Sequence, residues 1–155
     1  VLEKAHVIHI SGKREAEECR IRGEALSPTA QKRYHLFDYV HEMAQALAAS
    51  DLVIARAGAA TLAEFPNFGL PAILVPYPYA WRYQKVNADY LVDRGAGIRL
   101  NDEEMGRQLW PTVNSLLTDE TRLEEMSRNA QKLAQPDAAV RLADMLIDLA
   151  GGAEA

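Results

Sequence analysis

Between Arg56 and Glu64 the chain reads R-A-G-A-A-T-L-A-E, a turn almost without side-chain bulk that runs into a Thr and a Glu three residues apart. A bare backbone at a strand-to-helix turn leaves N–H groups open to a ligand, and their partial positive charge favours phosphate. Small residues there serve close packing of strand on helix equally well, so the turn by itself leaves both readings standing. Thr61 and Glu64 are also two-sided. T-x-x-E is the signature of a capping box, in which the two side chains satisfy backbone donors at a helix start. The same pair could instead offer a hydroxyl to a phosphate and a carboxylate to the paired hydroxyls of a ribose.

The elements needed to position these residues follow from the pattern of apolar residues. "AHVIHIS" (Ala5 to Ser11) predicts a strand, followed by a charged helix from about Glu15 to Leu26. "RYHLFDY" predicts a second strand, and "VHEMAQALAAS" a helix with Val40, Met43 and Leu47 on its apolar face. "DLVIAR" (Asp51 to Arg56) and "PAILVP" (Pro71 to Pro76) are nearly all apolar, as in parallel strands covered on both faces. A short helix from about Thr61 to Phe68 lies between them. After the aromatic loop "YPYAWRY" (Tyr77 to Tyr83) come a helix from Gln84 to Arg94 and a short last strand, "AGIRL". From Asn101 the pattern is helical in three pieces, broken by Pro111, by "TDET" and by "QPDAA", with a frayed tail over 151–155.

Strands alternating with helices imply right-handed crossovers, hence an α/β fold: a parallel, Rossmann-like sheet of about five strands with helices on both faces and a helical C-terminal segment. Ligands in such sheets bind beyond the carboxyl ends of the strands. The loops to inspect are therefore Asp38 to Val40, Ala57 to Thr61, and Tyr77 to Gln84.

A chain of 155 residues, 48% hydrophobic and 25% charged, suits one compact domain, here residues 1–150. Its net charge of −5 argues against nucleic acid as a partner. The single cysteine, Cys19, makes no internal disulfide, and the apolar runs are too short to span a membrane, so a soluble cytoplasmic domain is expected. His6 and His9 are three apart on a strand and point to opposite faces, His35 and His41 read as isolated, and no metal site is expected. Lys13 and Arg14 read as solvated, as does the Glu-rich stretch from Glu120 to Glu125. The aromatic loop reads equally as a sugar-stacking surface or as rings packed on the domain.

The run "DLVIARAGAATLAE....GLPAILVPYP", followed by "Q..NA", "L...GAG" and "QPDAA.R.AD", with "GKRE" and "F.YV.EMA" ahead of it, covers nearly the whole chain. It resembles the nucleotide-binding half of the MurG family of peptidoglycan N-acetylglucosaminyltransferases, two-domain enzymes of GT-B architecture. That resemblance implies an inverting transfer of N-acetylglucosamine from UDP-N-acetylglucosamine to a lipid-linked muramoyl-pentapeptide. It implies no cofactor, and a parent protein peripheral to the inner face of the cell membrane, touching the membrane only through parts outside this chain. By position, the backbone at Val40 would meet the uracil. Ala57, Gly58, Ala59, Ala60 and Thr61 would hold the diphosphate, Glu64 the ribose hydroxyls, and Gln84 and Asn87 the sugar or phosphate end. The acceptor site and catalytic base would lie on the other domain.

The sequence departs from that family at four places. Ala57 stands where Ser is usual, Tyr83 where His or Gln is common, and Pro66 where a helix normally carries Ala, a change expected to shorten or kink it. The family's glycine-rich turn after its first strand would precede Val1, so the chain reads as starting one βα unit late. On that reading it leaves a sheet edge exposed and is inactive alone. Two other functions remain open: a GT-B enzyme with another nucleotide-sugar or acceptor, and a non-catalytic interaction module derived from one.

Overall fold

The computed structural model describes residues 1–79 and 83–151. Five strands form, all paired in parallel: β1 (Val7–Ile10), β2 (Tyr34–Phe37), β3 (Val53–Ala55), β4 (Ala72–Leu74) and β5 (Gly97–Arg99). They are divided between a two-stranded sheet, β1-β2, and a three-stranded sheet in the order β3-β4-β5. No ladder joins β1 to β3, so the five expected strands do not share one continuous sheet, and each half keeps unpaired edges.

Helices α1 (Ala16–Glu24), α2 (Pro28–Gln31) and α3 (Met43–Ala48) connect the first three strands. α4 (Thr61–Asn67) joins β3 to β4, and α5 (Tyr83–Val92) joins β4 to β5. A single 3-10 turn at Asp102–Glu104 then leads into α6 (Met105–Thr118), α7 (Glu120–Gln131) and α8 (Ala138–Gly151). Gly69 and Gly95 take positive φ, 60° and 70°, just beyond α4 and α5, where a residue with a Cβ would be strained.

Strand β4 explains where the core sits. Its three residues are completely buried because helices cover both faces. Ala72 and Leu74 face Phe65 of α4, Ala88 and Leu91 of α5 and Ala130 of α7. Ile73 faces the other way, and with Val75 packs against Val113 and Leu116 of α6 and Met126 of α7. The alternation of a strand thus feeds two helical layers. Among the described residues, no hydrophobic side chain before Leu47 is buried.

Several boundaries differ from expectation. Pro111 does not break its helix: α6 runs from Met105 through it to Thr118. Burial of Val113 and Leu116 holds the helix together across the missing N–H donor, so tertiary packing overrides the local preference. The break at "TDET" does form, because the Asp119 carboxylate accepts from the Arg122 N–H at 3.0 Å and caps α7. Helix α3 begins only at Met43, leaving Val40 in the preceding loop and Met43 exposed, and of the expected apolar face Leu47 alone is buried. Helix α4 ends at Asn67, one residue after Pro66, whose ring is itself buried. α8 extends to Gly151, and the rest of the expected frayed tail lies outside the described residues.

Candidate functional site

The carboxyl ends of β3 and β4 bring the turn at 57–61 beside the start of α5. Ala57 is fully buried and packs in the core. Its carbonyl accepts from the Asn87 side-chain amide at 2.9 Å. Asn87 therefore clamps the turn to α5 from thirty residues away. At Gly58 an added Cβ would meet no protein atom within 4 Å, so the space above it is open. Ala59 and Ala60 are exposed.

Thr61 and Glu64 do not form a capping box. Residue 60 is the N-cap and already helical, which puts Thr61 one position too far into the helix for that role. The Thr61 hydroxyl, in a side chain only 7% exposed, donates instead to the Gly58 carbonyl at 2.6 Å. Together with the bonds from the Thr61 and Leu62 N–H groups to Gly58 and Ala59, this fixes the turn. The backbone N–H groups of Gly58, Ala59 and Ala60 have no acceptor among the described residues. The Glu64 carboxylate is exposed and equally without a donor there.

Gln84 accepts a hydrogen bond from the Tyr77 N–H through its side-chain carbonyl at 2.8 Å, tying the β4–α5 loop to the helix that follows it. Its amide NH₂ has no acceptor among the described residues. Val40 sits half-buried in the β2–α3 loop, and its backbone groups enter none of the described hydrogen bonds. Of the aromatic loop, Tyr77 and Tyr79 meet edge to face with centroids 5.6 Å apart and are both exposed, whereas Trp81 lies outside the described residues.

Arg56 is a residue that sequence reasoning passed over. Its guanidinium pairs with Asp102, donates to the Val75 carbonyl at 3.3 Å, and lies 5.4 Å from the centre of the Tyr77 ring. It fastens the ends of β3 and β4 to the turn after β5. The local signal was a lone cation directly after an apolar strand; its partner, 46 residues away, could come only from the topology. His35 likewise is not isolated. The register that sets Ile8 opposite His35 puts His6 on the same face, and the two rings stack with nitrogens 3.1 Å apart. Among the described residues, no group of three or more His, Cys, Asp or Glu side chains is arranged to hold a metal ion.

Residues 1–142 match the glycosyltransferase family 28 C-terminal domain. The chain belongs to this family. A curated relative of the family 28 domain is the UDP-N-acetylglucosamine–N-acetylmuramyl-(pentapeptide) pyrophosphoryl-undecaprenol N-acetylglucosamine transferase of Roseiflexus sp., 38% identical over 94% of this chain and 38% of its own length. The transferase of the same name from Halothermothrix orenii is 37% identical over 96% of this chain and 41% of its own length. Among solved structures, MurG of Acinetobacter baumannii superposes with a TM-score of 0.77 at 26% identity, covering 92% of this chain and 43% of that one. The architecture is accordingly one half of a GT-B fold. The chain spans about two fifths of the length of these relatives.

Proposed function

We propose that this family 28 domain is the donor-binding half of an inverting hexosyltransferase, one that moves N-acetylglucosamine from UDP-N-acetylglucosamine to a lipid-linked muramoyl-pentapeptide. The observation that carries the reading is the row of three successive N–H groups, at Gly58, Ala59 and Ala60, that find no acceptor among the described residues and lie where Gly58 has no described atom within 4 Å of an added Cβ. Successive backbone donors of this kind suit a diphosphate. The leaving group is UDP, whose negative charge grows as the glycosidic bond breaks. Fixed donors at that position stabilise the transition state more than the ground state, which is what raises the rate.

Within this reading Thr61 and Asn87 have positioning roles, because their polar atoms are spent on the Gly58 and Ala57 carbonyls and hold the turn open. Glu64 takes the ribose hydroxyls, the Gln84 amide meets the sugar or the phosphate, and the backbone at Val40 meets the uracil. The acceptor hydroxyl and its base belong to a second domain outside this chain, which also brings the enzyme to the inner face of the membrane.

The test is calorimetric titration with UDP-N-acetylglucosamine, UDP-glucose and UDP. Saturable binding that prefers the N-acetyl sugar and weakens in Glu64→Ala is the expected result. Absence of heat with all three ligands, from a sample shown to be folded, would overturn the claim that this chain holds a donor site.

A further inference from the structure

The four histidines fall into three settings once the strands are paired. His9 is half-buried, and its Nδ1 meets the Tyr34 hydroxyl at 2.7 Å. His41 lies edge-on to the Tyr39 ring in the loop after β2. His6 and His35 meet each other. The parallel register sets His35 opposite Ile8, two residues along from His6, so both imidazoles stand on the exposed face of the β1-β2 ladder. The contact is nitrogen to nitrogen, His6 Nδ1 to His35 Nε2 at 3.1 Å, between rings whose planes differ by 9°.

A neutral imidazole carries a hydrogen on one ring nitrogen and a lone pair on the other, so a single proton joins this pair. The position of that proton is one on which two nitrogens converge. Their separation is also the one that two imidazole nitrogens keep when they bind a common ion. Bonds of about 2.0–2.1 Å, at angles between square-planar and tetrahedral, put such nitrogens about 2.8–3.4 Å apart. Both rings are exposed, so packing does not oppose the small rotation that aims the two lone pairs at one ion. The cations nearest in sequence are directed elsewhere: the Lys4 ammonium donates to Asn114, and the Arg33 guanidinium donates to the Glu3 carbonyl.

We propose that His6 and His35 form a two-histidine site for a divalent late transition-metal ion, a strap across the start of the β1-β2 ladder. The donor set selects the class of ion. Two imidazoles suit zinc, nickel and copper, whereas magnesium and calcium require oxygen ligands that this pair does not supply. No third His, Cys, Asp or Glu among the described residues completes a cluster, so water fills the remaining positions. A two-stranded sheet is marginal in water, and β1 pairs with β2 alone among the described strands, so a link from one to the other acts where the fold has least to hold it. The site lies toward the amino ends of these strands, away from the loops at their carboxyl ends, and is independent of the donor-site reading.

The experiment is a titration of the full ¹⁵N-labelled chain with zinc chloride, followed by long-range proton–nitrogen spectra of the imidazole rings. His6 Nδ1 and His35 Nε2 should shift together and saturate at one ion per chain, with the His41 nitrogens unmoved. His6→Gln and His35→Gln should each weaken zinc binding at least about tenfold, and the double variant should bind no more weakly than either single one, because one chelate is lost in all three. Zinc should raise the thermal midpoint of the parent and of neither single variant, each first shown to be folded by its own melt without metal. The proposal is overturned by His6 and His35 resonances that do not respond to millimolar zinc, by zinc that binds while moving only other groups such as Cys19, or by single variants that keep the parent's affinity or lose only half of it, as two independent one-histidine contacts would.

Discussion

Two residues separate what holds the turn from what the turn would hold. Gly58 has negative φ and open space where a side chain would go, so Gly58→Ala should leave stability within about 0.5 kcal/mol of the parent. The new methyl would stand in the path of the diphosphate. Donor affinity measured by calorimetry should drop at least about tenfold, which is about 1.4 kcal/mol. Asn87 has the opposite profile. Removing its amide in Asn87→Ala leaves the Ala57 carbonyl without its donor, beside a fully buried methyl, and should lower unfolding stability by about 1–2 kcal/mol in a urea titration. Binding would then fall because the turn is released. In Asn87→Asp the replacement offers an acceptor to an acceptor, so both effects should be larger.

At the scale of elements, α6 and β4 make the strongest predictions. Leu116 is fully buried against Ile73 and Val75, and Leu116→Ala should cost about 3 kcal/mol by leaving a cavity between helix and sheet. The Tyr34 phenol, which bonds to His9 at 2.7 Å, is pushed above its ordinary value by burial and secondarily by Cys19. Its contribution is thus intact below pH 10.0, where the unfolded chain begins to ionise, and lost as pH rises further; thermal melts should stay level through neutral pH on this account and decline in strong alkali. Much of this level was legible in the sequence. Apolar runs such as "DLVIAR" and "PAILVP" gave strands to within two residues. Only β4 is covered on both faces as its composition suggests; β3 leaves Ile54 45% exposed, so its apolar run did not report two-sided burial. Pro111 misled, and the T-x-x-E pair left its two readings undecided, for a common reason. Each is a local signal whose outcome was decided by packing or by a one-residue shift of the helix start, neither of which the pattern carries. The contacts of Arg56 with Asp102 and of Asn87 with Ala57 were illegible, since they depend on which strand lies next to which.

Across the whole molecule the apolar surface is unevenly disposed. In α8, Val140, Leu142, Met145, Leu146, Ile147 and Leu149 are all exposed, leaving a narrow polar arc of Arg141, Asp144 and Asp148. A patch of that extent is uncommon on a monomer free in water. The chain by itself should therefore associate as its concentration rises. Light scattering after size exclusion should show this, and Leu142→Lys combined with Leu146→Lys should return it to a single small species without shifting the thermal midpoint.

The absence of buried hydrophobic side chains before Leu47 has a further consequence, for the order in which the molecule comes apart. Residues 1–46 hold a two-stranded ladder and one exposed link to α6, from the Lys4 ammonium to Asn114 at 2.8 Å, whereas both clusters of buried side chains belong to β3-β4-β5 and its helices. Local opening is least costly where least apolar surface is withdrawn from water. Amide protons of β1 and β2 should exchange with deuterium through partial opening, long before those of β4, which can exchange only when the entire three-stranded half unfolds. A protease added under native conditions would accordingly trim this molecule from its amino end and stop near α3, leaving the half that carries Gly58 and Asn87 in one piece.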